Sequence, residues 1–372
     1  MKIGILTLPL HTNYGGILQA YALQTVLERM GHKVEVLDTL PSFKKPTYWK
    51  YPMRWIKKMA GSDIIVARET RARKEFPIVS KETIRFKEQY IHSRILSCLS
   101  DVKEGDYDAI VVGSDQIWRS KYFKEMWKSA MADAFLEFTK TWNIKRIAYA
   151  PSFGVDNWEL TDEETVRCRE MIKLFSGVSV REVSGVDLCD KYLNIPATHV
   201  LDPTMLLDTE EYIALSKDKR THKRTGNLLC YILDDNSKKQ DLIYKIAKER
   251  SLTPFSVNCS NVKKTAPINE RIKPSVEEWL QGFYNAELVI TDSFHACVFS
   301  ILFKKPFIAL GNTKRGMSRF SSLLDMLGLR HHLLNDVSEY DSDYDYSICS
   351  GIDEKLNVLR LQSVDFLISS LK

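Results

Sequence analysis

No stretch of this 372-residue chain reaches the roughly 18 consecutive apolar residues that a membrane span requires. Cysteine is sparse and scattered, with seven residues at 98, 168, 189, 230, 259, 297 and 349 and no C-x-x-C pair. An odd number at such spacings suggests neither a disulfide framework nor a zinc site, so free thiols and no bound metal are expected. An excess of one charge is also missing: 53 Lys+Arg against 48 Asp+Glu leave +5, too little to make nucleic acid the expected partner. The opening residues 1–10 contain a short apolar stretch but no small-residue cleavage site, and read as the first buried strand of a cytoplasmic protein. What remains is 44% hydrophobic and 27% charged, ordinary for a globular chain long enough to bury two cores. Disorder, collagen-like repeats and small secreted scaffolds are excluded.

Short β-rich runs followed by longer helical patterns give the rhythm of βαβ units. Strands are expected near residues 3–8, 34–38, 109–113, 146–149, 176–180, 199–200, 227–233, 254–257, 288–291 and 306–310. Helices are expected at 17–30, 239–249, 276–285 and 295–302, and 196–208 reads as a crossover between halves. The expected architecture is α/β: two Rossmann-like doubly wound domains, 1–205 and 206–350, facing a cleft. A C-terminal amphipathic helix over 351–372 is expected to bury Val358, Leu361, Val364, Ile368 and Leu371 on one stripe. Residues 41–100 read as a helical insertion rich in basic and aromatic residues, among them Lys44, Lys45, Trp49, Lys50, Trp55, Lys57 and Lys58. A solvated basic face is the plainer reading of that segment, and a membrane- or polyanion-facing surface the sharper one.

Ligands of doubly wound sheets bind beyond the carboxyl ends of strands, so the residues just after each strand are the candidates. After the first strand, Asn13-Tyr14-Gly15-Gly16 leads into a helix, where paired glycines let backbone N–H groups approach an anion or a sugar oxygen. The spacing is neither GxGxxG nor a P-loop, and a tight turn without a ligand reads equally well. Asp115, Gln116 and Trp118 follow the 109–113 strand and suit recognition of a polyol, although Asp115 can equally cap the next helix. Arg181 follows another strand and can grip a carboxylate or phosphate, the alternative being a surface pair with Glu182. The sharpest feature is Thr291-Asp292-Ser293-Phe294-His295-Ala296, where a buried strand delivers a histidine to a helix start. The helix dipole disfavours the imidazolium there, which suits a proton carrier, whereas a Ser-His-Asp triad is not expected from residues so close on one turn. Lys314, Arg315 and Arg319 lie in a glycine-bearing loop after the next strand and read as a phosphate-binding loop, the alternative being a solvated loop.

Taken together, Asn13-Tyr14-Gly15-Gly16-Ile17-Leu18-Gln19-Ala20, Gly113-Ser114-Asp115-Gln116-Ile117-Trp118, Ser179-Val180-Arg181-Glu182, Leu201-Asp202-Pro203-Thr204, Glu278-Trp279-Leu280 and Thr291-Asp292-Ser293-Phe294-His295-Ala296 resemble the polysaccharide pyruvyl transferase family. The resemblance implies a fold similar to GT-B glycosyltransferases and phosphoenolpyruvate as co-substrate, with no further cofactor. It also implies a sugar or lipid-linked oligosaccharide as acceptor and a pyruvate ketal as product. The family's histidine falls on His295 and its arginine on Arg181, giving these two the catalytic roles. Asn13, Tyr14, Gly15, Gly16, Asp115, Gln116 and Trp118 would serve the acceptor, and Ser293, Lys314, Arg315 and Arg319 the donor. Many members carry Arg-Leu-His where this chain reads Ser293-Phe294-His295, so Arg319 or Arg315 is expected to replace the missing cation. A nucleotide-sugar glycosyltransferase and a catalytically silent glycan- or anion-binding protein are the alternatives.

Overall fold

A computed structural model of the chain describes residues 1–217, 225–261, 263–312 and 316–372. Its strands are the apolar runs of the sequence. Ala109–Gly113 and Phe307–Leu310 bury every residue, as strands of a parallel sheet must when helices cover both faces.

The first sheet contains β1 (Lys2–Leu6), β2 (Lys33–Thr39), β3 (Ser93–Leu96), β4 (Ala109–Gly113), β5 (Lys145–Tyr149), β6 (Gly177–Val180) and β7 (Thr198–His199). They are parallel, in the order 3-2-1-4-5-6-7. Around them lie α1 (Tyr14–Arg29), α2 (Tyr51–Met59), α3 (Arg68–Val79), α4 (Lys81–Tyr90), α5 (Ser120–Trp127), α6 (Asp162–Ile172) and α7 (Val183–Leu188). The second sheet holds β8 (Leu228–Tyr231), β9 (Pro254–Phe255), β10 (Leu288–Thr291), β11 (Phe307–Leu310) and β12 (Leu333–Leu334), parallel in the order 12-11-10-8-9. Its helices are α8 (Thr209–Ser216), α9 (Ser237–Glu249), α10 (Val276–Asn285), α11 (Phe294–Leu302) and α12 (Ser318–Leu327), and α13 (Ile352–Leu371) closes the chain. The molecule is thus two Rossmann-like doubly wound domains in a GT-B-like arrangement. The strand order reverses between β1 and β4 in one sheet and between β8 and β10 in the other, and these are the crevices where ligands enter.

Two sequence expectations need correction. The insertion does not run to residue 100, because Ser93–Leu96 is an edge strand paired with β2 in register from Val36↔Ser93 to Thr39↔Leu96. An edge strand covers little of its surface, so a run with Leu96 buried and Ile95 half exposed suffices and leaves a weak apolar signal. The expected stripe of α13 is right only in part: Leu371 is buried and Val364 packs against the core, but Ile368 is exposed. Val358 and Leu361 are exposed, while Leu356, Ser363, Leu367, Ser370 and Leu371 are buried. The helix returns to the first domain, where close approach selects small residues. A Cβ on Gly177 would stand 2.1 Å from Ser370 Oγ, and Ser363 Oγ accepts a hydrogen bond from the Leu201 N–H at 3.0 Å. Leu367→Ala should therefore cost about 2–4 kcal/mol in urea unfolding, whereas Leu361→Ser should stay within about 0.5 kcal/mol.

Candidate active site

The two domains meet at their switch points. Tyr14, the first residue of α1, stacks on Trp279 with ring centroids 5.6 Å apart, and its hydroxyl donates to the Pro274 carbonyl at 2.6 Å. The next residue must be glycine: a Cβ at Gly15 would stand 2.0 Å from His295 Nδ1. A Cβ at Gly16 would lie 3.1 Å from Asp115 Oδ2, which also accepts from Asn13 Nδ2 at 3.3 Å. Asp115 is aimed there by unusual backbone, since Ser114 and Asp115 both have φ of +53°, the left-handed region that non-glycine residues avoid. Such conformations cost about 1–3 kcal/mol each and cluster at functional sites. Here the Tyr149 carbonyl accepts from the Ser114 N–H at 3.1 Å, and the Ser152 N–H donates to the Asp115 carbonyl at 2.9 Å.

From the second domain, β10 ends at Thr291, Ser293 caps the following helix without a side-chain hydrogen bond, and α11 begins with Phe294 and His295. Behind them lies the buried carboxylate of Asp202, on the crossover. Its Oδ2 accepts from Arg181 Nη1 at 2.7 Å and from Gln19 Nε2, and its Oδ1 accepts from Thr204 Oγ1 at 2.7 Å. His295 Nε2 is 3.8 Å from the same Oδ2. Burial raises the Asp202 pKa, but Arg181, His295 and Thr204 outweigh it and hold the carboxyl below its ordinary value. Phe294 carries two cations on its ring, Arg181 at 4.9 Å and Arg319 at 5.6 Å. Both cations thus lie against the residue that follows Ser293 in the chain. Arg181 is buried, yet Nε and Nη2 have no hydrogen-bond partner among the described residues, and neither does His295 Nε2. Unpartnered buried donors of this kind mark a place prepared for an acceptor, and a guanidinium edge favours an anion.

Burial is the largest influence on His295 and, with Arg181 and Arg319, pushes its pKa down to about 4 against the pull of Asp202 and Asp115. The imidazole of the folded protein is neutral at pH 7. Burial also lowers the pKa of Arg319, to about 10, with Arg181 contributing.

Asn13, Tyr14, Gly15, Ser293 and His295 line one cavity of about 340 Å³ between the domains, with Lys273 on its wall. Asp115 touches Asn13 and the Gly16 position without lining that cavity, and Arg181 and Arg319 do not line it either but lie against the ring of Phe294, between Ser293 and His295 in the chain. Two expected acceptor residues point elsewhere. Trp118 is fully buried, stacked on Phe135 at 4.8 Å with its indole N–H donating to the Ala134 carbonyl, so its ring is core and has no free face for a sugar. Gln116 turns to Arg119, whose Nη1 donates to Oε1 at 3.2 Å, in the space left open by Gly154. Lys314 and Arg315 lie outside the described residues. Asp292 is structural: its Oδ2 accepts from Lys239 Nζ at 2.7 Å, and its two oxygens hold the Leu233 and Asp234 N–H groups of the loop after β8. A larger cavity of about 1,040 Å³, along α7 and α12, contains none of the expected residues.

Sequence reasoning missed Lys273 and Asp202 as site residues. Lys273 Nζ donates to the Thr12 carbonyl at 3.1 Å, and burial lowers its pKa. It follows no strand, so the strand-end rule could not find it. Asp202 stood in view within Leu201-Asp202-Pro203-Thr204, but only the fold brings it against His295. Among the described residues, no group of three or more His, Cys, Asp or Glu could hold a metal ion.

The fold and site define a two-domain α/β protein whose polar centre is assembled from both domains. The family model for polysaccharide pyruvyl transferase matches residues 13–314, and the chain belongs to that family of transferases. No curated protein sequence matches the chain. Among solved structures, it resembles UDP-GlcNAc 2-epimerase from Methanocaldococcus jannaschii in complex with UDP-GlcNAc and UDP. That likeness has 12% identity and a TM-score of 0.44, over 97% of this chain and 99% of that one. UDP-GlcNAc 2-epimerase from Neisseria meningitidis bound to UDP-GlcNAc gives 11% and 0.48, over 100% and 93%.

The lowered His295 pKa has a consequence for stability. Its ordinary value is 6.5, so between pH 6.5 and about 4 the unfolded chain binds a proton that the folded one refuses. Stability is therefore lost as pH falls through 6.5, by an amount approaching about 3 kcal/mol near pH 4. In urea unfolding at pH 7 and pH 5, His295→Gln should lose less stability between the two pH values than the native chain. Equal losses would mean that the imidazole is open to solvent.

Proposed function

We propose that this protein transfers pyruvate from phosphoenolpyruvate to two neighbouring hydroxyls of a sugar on a cell-surface glycan or its lipid-linked precursor. The product is a ketal, and phosphate is released. Within the family, one observation carries this reading: a buried arginine with unused N–H groups, Arg181, next to the unused ring nitrogen of a neutral histidine, His295.

The chemistry of an enol phosphate fits that pair. Protonation of C3 makes the methyl group and leaves positive charge at C2, which one sugar hydroxyl attacks. The C2–O bond to phosphate breaks, and the second hydroxyl attacks C2 to close the ring. Of the two hydroxyl protons, one balances the proton placed on C3 and the other leaves with phosphate. His295 is the proton carrier. Its pKa near 4 makes it a base in the free protein, and an arriving carboxylate and phosphate raise that value, so the imidazolium forms where C3 is to be protonated. Arg181 and Arg319, both against the ring of Phe294, grip the two anionic groups, with Ser293 at the cavity wall. Asp202 positions Arg181 and His295 and touches no substrate. Asn13 and Asp115 orient the acceptor hydroxyls on the first-domain side, where Gly15 and Gly16 leave room. The reaction takes place in the cytoplasm and needs no cofactor beyond the co-substrate.

Phosphoenolpyruvate should raise the melting temperature in a titration, following RT ln(1+[L]/Kd), and UDP- or GDP-sugars should not. A shift with the nucleotide sugars alone would move the assignment to glycosyl transfer. With an acceptor in hand, His295→Ala should slow phosphate release by roughly 10²–10⁴-fold while the phosphoenolpyruvate-induced shift persists. Full activity in that variant would remove His295 from the chemistry.

A further inference from the structure

Ordinary surface helices turn apolar residues inward and charges outward. α2 does the reverse. It has no buried residue, and Met53, Trp55, Ile56 and Met59 are 58%, 56%, 69% and 83% exposed. In the turn just before it, Trp49 is 75% exposed. The residues that point inward are Tyr51, whose hydroxyl is buried, and Arg54, which binds both carboxylate oxygens of Glu69 at 2.8 Å, the Val66 carbonyl at 2.8 Å and Thr47 Oγ1 at 3.0 Å. A nine-residue helix is marginal on propensity alone, so this one is held in place by the Arg54–Glu69 ion pair and its neighbouring polar contacts while its apolar side faces outward.

The charges along that segment of chain are of one sign until Asp63. From Leu40 to Ser62 the chain carries Lys44, Lys45, Lys50, Arg54, Lys57 and Lys58 and no Asp or Glu. Arg54 is spent on Glu69, and the lysines flank the apolar residues, with Lys50 Nζ 4.6 Å from the Trp49 ring and Lys58 Nζ 5.9 Å from the Trp55 ring. Protruding tryptophans, methionines and isoleucine ringed by lysines match a medium that is apolar below and anionic at its surface. A protein partner would need a separate pocket for each projecting side chain, whereas a headgroup layer yields to all of them. No helix among the described residues is long and apolar enough to cross a membrane, so the contact is one of lying on the surface.

We propose that α2 and the turn before it dock the protein on an anionic lipid surface. Trp49, Met53, Ile56 and Met59 enter the headgroup layer and the lysines meet lipid phosphates. The insertion is fixed to the rim of the catalytic cleft: Arg71 Nη2 donates to the Ala266 carbonyl at 3.3 Å, and the Lys273 N–H donates to the Val79 carbonyl at 2.9 Å. Lys273 also lines the 340 Å³ cavity. Docking thus holds that cavity close to the lipid, where an acceptor carried on a lipid would be presented. This consequence rests on the proposed function, while the docking itself does not.

Flotation of the full chain with phosphatidylcholine vesicles, with and without phosphatidylglycerol, tests the proposal. The protein should float only with the anionic vesicles, and added salt should weaken the association. The double variants Trp49→Ser/Ile56→Ser and Lys57→Glu/Lys58→Glu should each lose at least about tenfold in vesicle binding. Their melting temperatures should be unchanged, because all four side chains are exposed. Absence of flotation, equal flotation without phosphatidylglycerol, or undiminished binding by both variants would overturn the proposal. So would a dimer that Trp49→Ser/Ile56→Ser converts to monomer with no vesicle binding, which would assign the face to a second copy of the chain. The phosphoenolpyruvate-induced melting shift, measured in parallel, reports the catalytic reading separately.

Discussion

Asp202 lies where the chain crosses from one domain to the other, and its buried carboxylate ties the centre of the molecule together. Gln19 from α1, Arg181 from the end of β6 and Thr204 from the crossover all donate to it, and His295 of the second domain stands 3.8 Å away. A carboxylate with no access to water is tolerated only when its oxygens are fully engaged. Satisfying Asp202 therefore fixes the Arg181 guanidinium with one edge spent and the other unspent. It also fixes the distance between the anion-binding cation and the proton-carrying imidazole.

The rest of the site follows from how closely the two domains approach. Gly15 is pressed against the His295 ring, where even a methyl group would collide. That contact excludes water from the imidazole, and desolvation is the main reason it stays neutral. The tyrosine–tryptophan stack of Tyr14 on Trp279 and the Arg85–Glu277 ion pair at 2.7 Å hold the same seam from either side. The strained turn at Ser114 and Asp115 fits this arrangement, since it delivers a carboxylate to the mouth of α1 from the neighbouring strand of the same switch point.

Much of this architecture is legible in the sequence because parallel strands buried on both faces read as unbroken apolar runs, and 109–113 and 288–291 are of that kind. The strand-end rule also led to Asn13, Gly15, Ser293 and His295, which the fold brings to one cavity. It failed where proximity in sequence does not determine direction in space. Trp118 follows its strand by five residues, yet the left-handed turn at 114–115 sends its ring into the core. At Val358, Leu361 and Ile368 the stripe on α13 failed for another reason: hydrophobic periodicity assumes that large residues face inward, and this helix packs against Gly177 through Ser370. Lys273 and Asp202 carry no local signal of their role, because the contacts that place them in the site, Lys273 with Thr12 and Asp202 with His295, each span more than 90 residues of chain.

The account turns on a buried, neutral imidazole that meets an anion and takes up a proton as it does so. Calorimetric titration of phosphoenolpyruvate at pH 7, in buffers of different ionisation enthalpy, measures that uptake directly. The account predicts binding with net proton uptake by the native protein, and binding without that uptake by His295→Gln. Binding with the same proton uptake in both proteins, or no binding to the native chain, would contradict it.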